Sequence, residues 1–591
     1  MKSRSHSLEN IQRQIDEVKQ FLSVTLSISN AHTVEFFTHD VWKRFTAVSP
    51  QEVLRACAEQ QREPESSCAC ADQQRAPEPA ERCRTAFGFS VDSKQLVDTL
   101  ELIRAAKARS LPGLGACLGR DELLQQLRRT ELGPGAAPAD IGGELEADEF
   151  MNPKKSHEVQ SMSEVVARLA EHCGVSQVVD VGSGKGYLSS FLSLRFGLRV
   201  YGIDSSSTNT HGAQERNRKL KKFSRAYQRR AKADAARPPQ EDLGPVEPDP
   251  DGDLVPAGPR EEEEEEEGEA STDPAVERRS EPNPETEELF LSAMSADLVE
   301  AAPPRIPPGR LSEEERERRK RENLDRKSRS RAAGTGAVFS PLTSYVTAET
   351  ELRELITELE DAVLVGLHTC GNLAPSTLRM FVSKPELTAV CSVGCCYHLL
   401  TEEFDPAADG CLLGACGFPL SRYLQRQSWF CGRNARMSAC LALERVAVGQ
   451  GIQMESLFFR AVLHVILSER YGGYKSERRV GNVYSKSTSF VDYVRRALQR
   501  LELDDEKLSD SDIQAFHDTY AARKDEMHAF NMLKVILAPC IEGLILLDRL
   551  CYLKEQEDVS FSGLVQLFDP VLSPRCFAVV GLKGQTRPRT S

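Results

Sequence analysis

The 17 cysteines include no paired Cys-x-x-Cys set, so the usual sequence signature of a structural zinc site is missing. The nearest groupings are Cys68 with Cys70, Cys391 with Cys395 and Cys396, and Cys411 with Cys416, and the expectation is no metal. No apolar core follows the N-terminal MKSRSHSLENIQRQ. With an odd number of cysteines, this predicts reduced thiols in an intracellular protein, cytoplasmic or nuclear rather than secreted. No uncharged apolar run reaches the roughly 20 residues of a membrane span. The longest, ILAPCIEGLILLDRLCYL, carries Glu542, Asp548 and Arg549 and reads as a buried or amphipathic helix, so no membrane partner is expected. The net charge of −14 and pI near 5.5 argue against a general nucleic-acid coat but leave room for a local basic patch.

What is present has an order. Over 591 residues, two to four domains of ordinary size are expected. Residues 8 to about 60 carry apolar positions at Ile11, Ile15, Val18, Phe21, Leu22 and Leu26 with helical spacing. A Pro- and Gln-rich loop spans 62–82, and helical patterning resumes in SKQLVDTLELIRAAKARSL. Strand and helix then alternate. SEVVARLAEHCG predicts a helix stopped by Gly174, SQVVDVG a strand buried on both faces, YLSSFLSLRFG a helix stopped by Gly197, and LRVYGID a second buried strand. This is a βαβ unit whose crossover should be right-handed. From about 225 to 338 the composition shifts to Pro, Glu, Arg and Ala, with seven consecutive glutamates from Glu261 to Glu267. Too little apolar surface is available there to offset ordering entropy; only ELFLSAMSADLV and a charged segment near 312–330 have helical pattern. Alternation resumes with a strand at TSYVT, a helix at AETELRELITELE, a strand at DAVLVGLHTCG, a helix at APSTLRMFVS and a strand at LTAVCSVGCCYH. More helices and a final RCFAVVGLK strand close the chain.

The stretch VVDVGSGKGY places Gly182, Gly184 and Gly186 between a buried strand and a helix. Glycine permits positive φ and lets a ligand approach the main chain, and a helix N-terminus adds free N–H groups. A P-loop needs Gly-x-x-x-x-Gly-Lys-Ser/Thr, but Val179 stands at the first glycine and Gly186 follows Lys185. A dinucleotide fingerprint needs Gly-x-Gly-x-x-Gly, and the spacing here is Gly-x-Gly-x-Gly with Asp180 before it. That spacing matches a class I methyltransferase loop for S-adenosylmethionine (AdoMet), whose ammonium group wants a nearby carboxylate. Asp204, 24 residues after Asp180 at the end of the second strand, can accept both ribose hydroxyls. A tight turn with a solvated aspartate is the competing reading of either element alone.

Taken in order, FMNPKKSHEV, VVDVGSGKGYLS, VYGIDSS, VGLHTCGNLAP and SVGCCYHLLTEE resemble the methyltransferase-like protein 25 family, which includes a ribosomal-RNA adenine methyltransferase-domain protein. LSISNAHTVEFFTHDVWKRF and the insert between the second and third strands fit the same family. The resemblance implies an α/β, Rossmann-like class I methyltransferase sheet binding AdoMet. It carries Asp180, Gly182, Ser183, Gly184, Gly186 and Tyr187 over as the methionine-end loop, and Asp204 with Ser205 as the ribose side. Lys154, Lys155 and His157 can meet the cofactor carboxylate or an acceptor phosphate, or simply lead into the following helix. His368, Thr369 and Cys370 should line the acceptor pocket at the carboxyl end of a strand, with His368 as a base or as a satisfied structural residue. Tyr397 can stack on a base or on adenine, and His398 can hydrogen-bond. Cys395 and Cys396 read as packing residues, or as a thiolate. The Asp/Asn/Ser-Pro-Pro-aromatic motif of many exocyclic-amine methyltransferases is absent; HTCG stands in its place.

The run Arg216–Lys232 has nine Lys or Arg with Phe223 and Tyr227 interleaved. It makes a cationic stripe able to neutralise phosphates, or a solvated helix leading into the insert, whose glutamates can compete for the stripe as a nucleic-acid mimic. The organisation expected is a helical region 1–148, AdoMet-binding parts 149–224 and 339–425, a charged insert 225–338 open to protein partners, and a helical extension 426–591 with a terminal strand closing the sheet. The function expected is AdoMet-dependent methyl transfer with RNA the leading acceptor class; the alternatives are a protein acceptor or an inactive scaffold on the same fold.

Overall fold

A computed structural model describes residues 7–62, 86–88, 94–96, 99–131, 151–218, 220, 339–406, 416–447, 454–472, 480–481 and 483–584. The insert and most of the basic run fall outside them, as do the two segments with helical pattern inside the insert. A hairpin of β1 (Ala86–Gly88) and β2 (Lys94–Leu96) stands apart from the main sheet. The main sheet has eight strands: β3 (Cys117–Gly119), β4 (Gln177–Val181), β5 (Arg199–Asp204), β6 (Ser340–Thr343), β7 (Ala362–Thr369), β8 (Leu387–Gly394), β9 (Val559–Gln566) and β10 (Phe577–Lys583). Their spatial order is β3-β9-β10-β8-β7-β4-β5-β6. Every neighbouring pair is parallel except the two that β10 makes with β8 and β9. The order reverses between β4 and β7, with β5 on one side and β8 on the other; that is the switch point where open α/β sheets bind ligands. The expected α/β, Rossmann-like class is therefore the observed one.

The unbroken apolar strands are explained by two hydrophobic clusters, one on each face. Along β4, Val178 joins one cluster while Val179 and Val181 join the other; β7 divides likewise, with Val363 and Val365 opposite Leu364. A strand buried on both faces keeps its apolar character at every position. On the side of Val178 lie α2 (Pro153–Cys173) and α3 (Tyr187–Phe196). Asn152 caps α2 through Lys155 N, and Gly174 ends it in the left-handed conformation.

The other face is covered by α1 (Leu8–Asn30), α4 (Leu373–Ser383), α5 (Arg433–Ser438) and the 31-residue α6 (Lys524–Lys554). By length and hydropathy α6 resembles a membrane span, yet its most apolar window is 94% buried inside the protein. Its polar residues have protein partners. Asp548 accepts from Leu420 N, Ser421 N and Ser421 Oγ at 2.6–2.9 Å, and Glu542 accepts from Tyr397 and Arg575.

Three local expectations need correction. The third strand of the parallel set is β6 at Ser340–Thr343, sharing only Thr343 with TSYVT. Pro341 is tolerated because β6 is an edge strand. AETELRELITELE yields only the four-residue helix Leu352–Leu355, and SKQLVDTLELIRAAKARSL divides into β2 and the helix Thr99–Ala108.

Candidate functional site

The turn between β4 and α3 is built from backbone that only glycine adopts readily: φ is 72° at Gly182, 55° at Gly184 and 73° at Gly186. Gly182 N and Ser183 N donate to Ile203 O at 2.8 and 3.2 Å, so the turn is stitched to the neighbouring β5. Asp204 completes the stitching. Its Oδ2 accepts from Gly184 N at 3.0 Å, and its Oδ1 accepts from Ser206 N at 2.8 Å and Asn209 Nδ2 at 3.2 Å. The bare loop and the carboxylate predicted to share a ligand are thus in direct contact. A side chain at Gly186 would collide with the Phe339 ring, and one at Gly182 would press on Leu373, but a Cβ at Gly184 would meet nothing within 4 Å. Open space therefore remains where the main chain is barest. Ser205 is half-buried beside Asp204.

Asp180 lies under this turn, not in its mouth. It is 1% exposed and accepts from Ser189 Oγ at 2.6 Å. Burial raises its pKa to about 7; Ser189 opposes the rise and the charge of Asp204 adds to it. Tyr187, first residue of α3, has the Arg216 guanidinium 4.2 Å and the Lys155 ammonium 5.7 Å from its ring centroid, two cation-π contacts beside the loop. Ser183 Oγ is buried without a hydrogen-bond partner. His157 faces elsewhere: its Nε2 accepts from Asp569 N at 2.9 Å, and its ring meets Phe568 edge-on. That bond anchors the β9–β10 connection and makes Nδ1 the protonated nitrogen, since a backbone amide can only donate.

At the end of β7, the pairing with β8 shifts register between Leu367 and Thr369, so His368 is the extra residue of a bulge. Its φ is 62°, a left-handed conformation that costs a side-chain-bearing residue roughly 1–2 kcal/mol. Bulges re-aim side chains, and here His368 Nε2 lies 2.9 Å from Glu158 Oε2. Ser573 Oγ donates to Glu158 Oε1 at 2.7 Å, and Lys154 Nζ lies 3.8 Å from the same oxygen. Burial alone would raise the Glu158 pKa, but the hydrogen bond and charge of His368, with Lys154 and Ser573, bring it down to about 2. An ionised Glu158 only accepts, so His368 carries its proton on Nε2 and leaves the Nδ1 lone pair free of that bond. Neither Glu158 nor Ser573 was singled out from sequence. Glu158 had a visible signal, standing four residues after Lys154 on one helix face; Ser573 had none.

The remaining predicted residues separate. Tyr397 is 2% exposed, and its hydroxyl donates to Glu542 at 2.8 Å. The guanidiniums of Arg549 and Arg575 lie 5.7 and 5.8 Å from its ring centroid. It has no free face for a base, and the stacking role expected of it is withdrawn. His398 is also buried, and burial followed by the charge of Arg433 lowers its pKa to about 4. Cys370 Sγ sits 3.1 Å from Cys395 Sγ, which sits 3.5 Å from Cys396 Sγ. The Cys395 and Cys396 thiols are raised, first by their hydrogen bonds with Cys370, the reverse of what a reactive thiolate needs. Thr369 is buried and donates to Val393 O.

A methyltransferase-domain family model matches residues 154–403, the span from α2 to just beyond β8. The chain is 45% identical over 605 residues to probable methyltransferase-like protein 25 of Mus musculus, covering 98% of both chains. It is 46% identical over 618 residues to probable methyltransferase-like protein 25 of Homo sapiens, again covering 98% of both. No solved structure matches.

Proposed function

The chain belongs to the methyltransferase-like protein 25 family and carries a methyltransferase domain, and from that premise we propose that it is an AdoMet-dependent methyltransferase acting on RNA. The observation that carries the cofactor half is the contact between Gly184 N and Asp204 Oδ2 beside open space at Gly184. Main chain and carboxylate converge there from the carboxyl ends of two adjacent parallel strands. Gly182, Ser183, Gly184 and Gly186 would cradle the methionine end, Asp204 with Ser205 would hold the ribose, and Tyr187 with Lys155 would flank the loop. Asp180 then acts from beneath, as a buried carboxyl able to balance a cationic ligand.

When bound, AdoMet supplies an electrophilic methyl group; the protein's task is alignment and removal of one proton. His368 is the acceptor-side candidate. β7 lies next to β4, and Glu158 fixes the tautomer that leaves Nδ1 to take the acceptor proton. The raised thiols of Cys395 and Cys396 do not favour a covalent route, which leaves His368 ahead of Cys370 and His398. RNA as acceptor is supported by the nine basic residues of Arg216–Lys232, which would lead from the cofactor loop into the insert.

The test is calorimetric titration of AdoMet into wild type and Asp204→Asn, followed by turnover of tritiated AdoMet on fractionated cell RNA and protein. Losing charged hydrogen bonds worth about 1.5–3 kcal/mol should weaken AdoMet binding at least about tenfold, and label should appear in RNA. Absence of any binding heat would favour the inactive scaffold. Label confined to protein would replace the acceptor class.

A further inference from the structure

We propose that Cys370, Cys395 and Cys396 form a three-thiolate site for one zinc ion, with His398 as the fourth donor. This inference is independent of the methyl-transfer reading. Thr369 pairs with Gly394 across β7 and β8, so the next residue of each strand, Cys370 and Cys395, emerges from the sheet side by side although 25 positions apart in sequence. Cys396 follows at once. The three sulfurs lie within 4.8 Å of one another, at 3.1 Å for Cys370–Cys395 and 3.5 Å for Cys395–Cys396. These separations are longer than the roughly 2.05 Å of a disulfide bond, and none of the three is joined in a disulfide. Zinc at about 2.3 Å from each sulfur holds tetrahedral thiolates roughly 3.8 Å apart, so the Cys370–Cys395 pair has to open by about 0.7 Å and the Cys395–Cys396 pair by about 0.3 Å.

A second observation points to a ligand. His398, two residues beyond Cys396 in the turn Tyr397–Leu399, is 6% exposed, and its Nδ1 is a buried polar atom without a hydrogen-bond partner. A buried polar group left unpaired is costly; a metal ion is a partner to which its lone pair can donate. The His398 nitrogens lie outside the group of ligand atoms within 4.8 Å of one another, so its imidazole has to swing toward the three sulfurs to complete the set. The site also has its counter-charge. The buried Arg549 has its Nη1 against the Cα of Gly394, next to Cys395, and zinc with three thiolates and a neutral imidazole carries one net negative charge. A divalent ion bound there would release the thiol protons on binding. A closed four-donor set is structural in type. Here it would clamp the ends of β7 and β8 directly beside His368.

The test begins with the wild-type chain purified without added metal, where elemental analysis should find one zinc per chain. Replacement of zinc by Co2+ should give a sulfur-to-cobalt charge-transfer band in the near ultraviolet and intense tetrahedral ligand-field bands in the visible; this needs no variant to fold. Cys395→Ser should lose the metal, Cys173→Ser should keep it, and His398→Gln should bind zinc at least about tenfold more weakly with shifted cobalt bands. A chain that contains no zinc and gives no thiolate–cobalt spectrum overturns the site, as does a Cys370–Cys395 disulfide found by mass spectrometry in freshly purified protein. Unchanged cobalt bands in His398→Gln overturn the fourth-donor assignment.

Discussion

Gly184 and Gly186 share a left-handed backbone but meet different surroundings, and substitution separates the loop's two duties. Alanine at either pays the φ cost of roughly 1–2 kcal/mol. At Gly186 it also drives a Cβ into the Phe339 ring, and overpacking adds about 1–3 kcal/mol. Gly186→Ala should therefore lower the melting temperature well beyond Gly184→Ala. Gly184→Ala should fold with a small stability loss, yet lose AdoMet binding in calorimetry because its methyl occupies the ligand's approach. Asp180 supplies a pH signature. Its folded pKa of about 7 exceeds the ordinary 3.8, so the stability tied to its neutral form is complete below pH 3.8 and is lost as pH rises toward 7. Asp180→Asn should flatten the melting temperature across that window and melt roughly 5 °C above wild type at pH 8, measured by calorimetry.

At the scale of elements, the βαβ unit was legible because its signals are local. Val178 to Asp204 holds two strands, a helix and its stopping glycine within a short stretch, and periodicity reports each. β6 and the short helix Leu352–Leu355 were misplaced because burial there is partial and the edge position, not propensity, decides what pairs. The bulge at His368 was invisible for a stronger reason: it exists only relative to the register of β8. α6 shows a third case. Its acids read as interruptions of an apolar run, but each satisfies donors from distant loops. Asp548→Ala would strand Leu420 N, Ser421 N and Ser421 Oγ, at about 1–3 kcal/mol per unsatisfied buried group. The expected result is a loss of at least about 3 kcal/mol in denaturant unfolding, with the 416–425 segment the first to gain amide exchange.

Over the whole molecule, distant segments share one sheet. β3, from the first quarter of the chain, pairs with β9, while β10 enters between β9 and β8. The insert departs after β5 and returns at β6, and those two strands pair directly. Deleting residues 235–335 should therefore leave cooperative unfolding and AdoMet affinity unchanged. If the glutamate run competes for the basic stripe, the deletion should tighten RNA binding and steepen its salt dependence; unchanged RNA affinity at several salt concentrations would sink that competition.

From sequence alone came the fold class, the glycine loop, the acid at the end of the second strand and the strand end that carries His368. Each is written in residues adjacent along the chain, where helix and strand periods and glycine's freedom act. Tertiary structure alone decided that Glu158, itself bonded by Ser573, holds His368, that Tyr397 is packed against α6 instead of facing a base, and that Cys370 meets Cys395 and Cys396. Those outcomes depend on which strand ends lie side by side and on what surrounds them, and a chain brings such groups together only when its core closes.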